Sequence, residues 1–302
     1  MEQTLESVGL DYELTLAERE DVQKRYPNVY FPEPTLEPVF YGRRDKVRIP
    51  EKRAIVDQKV HETTQSPGVY GICSEAYKII HYEDIIHMVE NSVGALTDYG
   101  KVQVCPTTYL DGGRLRINVK FPEMKSEIKK VDSIIPKVDV FSSYDLSTKL
   151  TGKFGAWQLK CTNGMGIWKS MQRFAKRHLQ NLFLNDFGNT ISEGMLIFGE
   201  QVNTWKNWAS IQIEKDIYET IWDELPFSKA ERTKIEALPE IGTQMLLSKA
   251  VETNTLDLWG LNSVLTQFAT HEVKSELRRI DLEPAIARSM ELLYAKTTGG
   301  IH

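Results

Sequence analysis

The chain of 302 residues is 41% hydrophobic and 26% charged, with 19 glycines, 12 prolines, 12 tyrosines, 11 phenylalanines and 6 tryptophans. This is a globular composition, long enough to bury a core without disulfides, and it excludes collagen-like and low-complexity classes. The net charge of −5 hides a segregation: residues 114–177 hold 14 Lys/Arg against 5 Asp/Glu, a surplus of +9 that leaves −14 for the remainder, and such a stretch in an acidic chain suits a polyanionic partner.

The opening MEQTLESVGLDYELT is acidic and lacks the apolar stretch of a secretory signal, and no run approaches the roughly 18 apolar residues of a membrane span. A short helix is predicted near Leu14–Tyr26, then an extended arm punctuated by Pro27, Pro32, Pro34, Pro38 and Pro50. The expected division is an arm at 1–66, an α+β core at 67–188 and a helical region at 189–302. Having little core of its own, the arm needs a surface to lie on, which predicts a homo-oligomer.

From residue 67 the pattern changes. Val69–Cys73 and Tyr77–Tyr82 read as strands, and Ile85, Met88, Val89, Val93 and Leu96 follow at helical spacing after the acidic pair Glu83-Asp84. Val102–Thr108 and Arg114–Phe121 flank Asp111-Gly112-Gly113, a hairpin signal. Further strands are expected at Ile134–Ser142 and Phe154–Cys161, then a long helix over Ile167–Phe183. Beyond Asn189 the reading is helical, with boundaries at Pro226, Pro239 and Pro284 and a capping box at Ser228 and Glu231. The fold class is therefore α+β: an antiparallel β-hairpin sheet packed on a long basic helix, with a mostly helical C-terminal region.

The basic stretch supplies the candidate site. In Arg114–Phe121, Leu115, Ile117 and Val119 alternate with Arg114, Arg116, Asn118 and Lys120, so one face carries a row of cations about 7 Å apart, with no carboxylate of the strand among them. In the predicted helix, Lys169, Arg173, Lys176 and Arg177 fall within roughly a 100° arc opposite Trp168, Met171, Phe174 and Leu179. Lys153 and Lys160 add charge on the preceding strand, and rings interleave with the cations. Tyr144 in the polar loop Ser142–Asp145 and Trp157 are the expected base-stacking rings, because single strands are held by cations on the backbone and aromatic faces on the bases.

Other chemistry finds little support. Gly152-Lys153 imitates the end of a phosphate-binding loop, but Ser147 and Phe154 stand where Gly and Ser/Thr are required. The histidines form no ligand pair at i,i+4, and Cys73, Cys105 and Cys161 lie far apart in strand-like runs, expected as buried, reduced thiols. Asp145 with Gln158-Leu159-Lys160 imitates a Mg²⁺-dependent nuclease, with Gln158 in place of a second carboxylate.

Ser142-Ser143-Tyr144-Asp145, Cys161-Thr162-Asn163-Gly164-Met165, Lys176-Arg177-His178 and the run Leu258–Thr266 (LWGLNSVLT) occur in an order and spacing that resembles the phage/plasmid-related proteins grouped as domain of unknown function 932. The run Gly68–Tyr82 is similar to their early strand pair. The resemblance spans roughly 67–270 and implies a phage or mobile-element setting, hence the cytoplasm of a bacterial host. The order of strands and basic helix also resembles the core of single-strand annealing proteins. Together these lead to the expectation of a non-enzymatic, cofactor-free protein that binds and anneals single-stranded DNA as a homo-oligomer. The rivals are a metal-dependent nuclease using Asp145 and Lys160, and a protein-interaction module.

Overall fold

In the computed structural model, which describes residues 13–60, 67–94, 97–130, 132–159, 163–166, 173–176, 184–240 and 244–299, the first element is α1 (Leu16–Arg25). Thr15 caps it, accepting from the Glu18 N–H while the Glu18 carboxylate accepts from the Thr15 N–H, and this reciprocal bonding fixes the helix start.

The expected arm is not an arm. Pro34–Tyr41 (β1), Val47–Val60 (β2) and Pro67–Ser74 (β3) form a three-stranded antiparallel sheet in that order, from Pro34 opposite Asp57 to Tyr41 opposite Val47. The prolines that suggested an unpaired chain occupy tolerant places. Pro34 and Pro38 lie on the edge strand, and Pro50 lies where the β1–β2 register shifts, between the Arg53–Pro38 and Arg48–Phe40 pairs.

Residues 77–81 carry no strand; the chain runs irregularly into α2 (Tyr82–Gly94). The β-forming Tyr77–Tyr82 run serves as an anchor instead: Tyr82 is buried and the Ile80 carbonyl accepts from the Tyr144 hydroxyl at 3.0 Å. β4 (Gln103–Tyr109) and β5 (Arg114–Lys120) flank the predicted turn, where Leu110, Asp111 and Gly112 all have positive φ. Gly112 is required there, since a Cβ would sit 2.6 Å from the Tyr30 ring.

β6 (Ser126–Lys129), β7 (Asp132–Ser143), β8 (Leu150–Gln158), β9 (Asn163–Gly166) and β10 (Arg173–Lys176) complete a second antiparallel sheet of order β10-β8-β7-β5-β4, with β6 beside β7 and β9 beside β8. The expected helix over 167–183 is corrected at its centre: Arg173–Lys176 is extended and pairs with β8, Arg173 opposite Lys153 and Lys176 opposite Leu150. A four-residue run satisfies either period, and pairing with a strand edge overrides local helical preference. Residues 167–172 and 177–183 lie outside the described residues.

The rest is helical, as expected: α3 (Leu184–Trp208), α4 (Lys215–Ile221), α5 (Lys229–Glu236), α6 (Leu247–Glu252), α7 (Leu258–Gln267) and α8 (Glu276–Thr297). α5 has the predicted capping box at Ser228 and Glu231. Pro284 is not a boundary; α8 passes through it, forgoing one backbone bond. No helix of the described residues is long and apolar enough to cross a membrane.

The chain falls into two units, Met1–Val119 with Asp139–Lys153 and Arg173–Ile191, and Lys120–Val138 with Phe154–Gln172 and Ser192–His302. These are not the expected boundaries at 66 and 188. β2–β3 pairing joins residues on both sides of 66, and β7 and β8 each begin in one unit and end in the other. The first unit buries Leu14, Val22, Phe31, Ile55, Ile85, Leu115 and Ile117; the second buries Trp205, Trp208, Trp259, Leu261 and Met290.

Candidate nucleic-acid interface

β5 alternates as its sequence dictates: Leu115, Ile117 and Val119 are buried, while Arg114, Arg116, Asn118 and Lys120 are half-exposed. The expected row of cations without carboxylates is corrected by the neighbouring chain. Arg114 Nε donates to Asp145 Oδ2 at 2.6 Å, and Arg116 Nε and Asn118 Nδ2 donate to Asp139 Oδ1 at 3.0 and 2.6 Å. Both carboxylates come from β7 and the loop after it, partners that the alternation of one strand does not reveal. Burial works to raise the Asp145 carboxyl, but the Ser147 hydroxyl and N–H and the Arg114 guanidinium together hold it below its ordinary range.

Tyr144 is also corrected. Its ring is fully buried, stacked on Tyr82 with centroids 4.2 Å apart and planes at 12°, and its hydroxyl is bonded inside the fold. Burial pushes that hydroxyl well above its ordinary pKa. No base can reach this ring. Lys153 remains half-exposed on β8, its ammonium 5.9 Å from the Phe141 ring, which the Arg116 guanidinium approaches to 5.5 Å.

In the second unit the Lys120 ammonium lies 4.0 Å from the centre of the half-exposed Trp157 ring and that of Lys137 5.7 Å from it. Trp157 is thus a cation-bearing ring, in the favourable geometry of a cation–π contact. Lys137 itself is buried, 3.5 Å from Glu283. Gln158 donates to Asp132 Oδ2 at 2.6 Å and to the Ser263 hydroxyl at 3.2 Å, and Trp259 Nε1 donates to the same Asp132 oxygen at 2.7 Å.

For the nuclease reading, Asp145 has Oδ2 on Arg114 and Oδ1 on the Ser147 N–H at 3.0 Å, and Gln158 is fixed in a buried network. Lys160, Lys169 and Arg177 lie outside the described residues, and of Arg173 and Lys176 only the strand pairing is described. Cys73 is buried as expected; Cys105, expected buried, is exposed on the edge strand β4. Cys161 lies outside the described residues.

The fold brings forward one further cluster, outside the basic stretch of residues 114–177. Between β1 and β2, residues 42–46 form a loop with Tyr41 and Val47 paired at its base. Tyr41 is 76% exposed and Phe40 51%, and Arg43, Arg44, Lys46 and Arg48 are all exposed. Arg48 reaches Glu75 at 2.7 Å, whereas among the described residues Arg43, Arg44 and Lys46 meet no carboxylate within ion-pair distance. Gly42 shapes the turn: its φ is +106° and a Cβ would lie 2.4 Å from the Asp45 carbonyl oxygen, so only glycine fits. The signal was legible as Phe40-Tyr41-Gly42-Arg43-Arg44-Asp45-Lys46-Val47-Arg48, a basic turn with a glycine between apolar flanks.

No family model matches the chain, and no match is found among the curated proteins or the solved structures.

Proposed function

We propose that the chain binds single-stranded DNA through its phosphates and anneals complementary strands, acting as a homo-oligomer in a phage or plasmid setting. The observation that carries this reading is the surplus of +9 over residues 114–177 in a chain of net charge −5. Polyanion binding is dominated by such cations, and rings placed among them provide faces for bases. In this reading the phosphate contacts come from the cations of the basic stretch, Arg114, Arg116, Lys120, Lys153, Lys160, Lys169, Arg173, Lys176 and Arg177, of which Arg114 and Arg116 also face carboxylates within the fold. Trp157, with Lys120 on its ring, is the aromatic partner in that set. Annealing asks only that phosphates be held while base edges stay free to pair, and no group on the strand need be transformed. One domain covers ~4–16 nucleotides, so longer strands require several protomers side by side.

Gel shift on single-stranded oligonucleotides over a salt series tests this, with strand annealing and light scattering in parallel. The expected result is log affinity falling with log salt by about 0.7 per phosphate contact, faster pairing of complementary strands, and a particle larger than one chain. A flat salt response, or no shift at ~50 mM salt, overturns the electrostatic basis of the proposal.

A further inference from the structure

We propose that the β1–β2 hairpin tip is a second contact element for single-stranded nucleic acid, with Tyr41 stacking on a base and Arg43, Arg44 and Lys46 holding the flanking phosphates; this rests on the reading of function above and adds a site outside the basic stretch that suggested it. The tip combines the two features a single strand requires. Tyr41 presents three quarters of its surface to solvent beside the exposed Val47, its cross-strand partner, although an aromatic ring without a partner ordinarily turns inward. The five residues beyond it carry three cations and one carboxylate, Asp45. Gly42, at φ +106° with its Cα close to the Asp45 carbonyl, sets the backbone turn from which these cations project, and a preset backbone reduces the ordering cost of binding.

The charge pattern selects the occupant. A second copy of the chain docking tip to tip would oppose like charges in a self-complementary contact. For a lipid surface the rings would have to lead, yet Phe40 and Tyr41 lie behind the turn that bears Arg43, Arg44 and Lys46; burying the rings in hydrocarbon would drag the cations in first. A single strand accepts both groups at the same depth, with alternating base and phosphate.

Fluorescence anisotropy of the full chain with a labelled oligothymidylate of about 20 nucleotides, over a salt series from ~50 mM, tests this. Tyr41→Ala is expected to weaken binding at least tenfold while Tyr41→Phe, which keeps the ring, binds as the parent does. Arg43→Gln/Arg44→Gln/Lys46→Gln should lower the salt slope by about 2, three contacts at ~0.7 each. All four side chains are exposed, so melting should be unchanged; if the triple variant misfolds, the Tyr41→Ala and Tyr41→Phe pair decides. Parent-like binding by Tyr41→Ala, or an unchanged slope in a folded triple variant, overturns the role of the tip and leaves the functional reading standing. A parent that ignores the oligonucleotide overturns both, and a parent that instead binds phosphatidylserine vesicles, lost in the same variants, assigns the tip to a lipid surface and overturns the inference.

Discussion

Asp132 is a buried carboxylate held by two neutral donors, the Gln158 amide and the Trp259 indole, both on Oδ2; Oδ1 has no hydrogen-bond partner. A charge so placed depends heavily on each donor. Trp259→Phe keeps most of the ring packing against Trp205 but removes one bond. It is expected to cost about 1–3 kcal/mol, read as a lower melting temperature and denaturant midpoint. His81 gives the pH counterpart. Burial, and then the Arg19 charge, depress its pKa below 6.5, against the opposing pull of Asp84 and Glu13. The folded state therefore prefers the neutral ring. Its contribution is present above about pH 6.5 and is lost as pH falls through the depressed folded value, because the unfolded chain takes up the proton first. A stability profile from pH 7 to 5 should decline in the parent and flatten in His81→Gln. An unchanged slope would show that other groups set it.

At the scale of elements, what could be read from the sequence depended on whether the signal was local. α5 was legible because its start is written within four residues: Ser228 and Glu231 bond to each other's backbone N–H. Ser228→Ala should accordingly cost about 0.5–2 kcal/mol in thermal unfolding. The β4–β5 hairpin was legible for the same reason, through Asp111-Gly112-Gly113. β10 was not, since whether Arg173–Lys176 coils or extends is decided by β8 some twenty residues earlier. The β1–β2 hairpin is masked in the sequence by its prolines, which signal breaks in the chain yet are tolerated at the edge and bulge positions they occupy. The candidate site followed the same rule. That β5 alternates was visible in the strand, but that Asp139 and Asp145 meet its arginines depends on strand order. Tyr144 read as a loop ring and proved a core ring because Tyr82 and Ile80 close over it. β10, the carboxylates facing β5 and the burial of Tyr144 each depend on a partner distant in sequence, which composition and periodicity do not encode.

At the scale of the whole molecule, residues 13–60 are integral to the first unit, and this can be tested by removing them. Asp57, buried in β2, accepts from the Tyr30 hydroxyl at 2.7 Å, the Tyr70 hydroxyl at 3.0 Å and the Glu33 N–H at 2.8 Å, tying β2 to β3 and to the chain before β1. Arg19 bonds Asp84, and Arg25 and Tyr26 both bond Glu90, tying α1 to α2. Leu14, Val22, Phe31 and Ile55 are each 5% exposed or less. Burying a side chain of this size contributes about 1.5–3 kcal/mol, so the four together match the order of magnitude of a typical domain's net stability. A chain starting at Pro67 would lose all of this and leave β3 without β2, its one strand neighbour among the described residues, an open edge prone to association. Had 1–66 been a separable arm, the truncated chain would melt cooperatively at the parent's temperature. The pairing of β2 with β3 predicts the opposite: residues 67–302 should aggregate or unfold without a cooperative transition, and sharp parent-like melting of that fragment would show that the three-stranded sheet adds nothing to the first unit's stability.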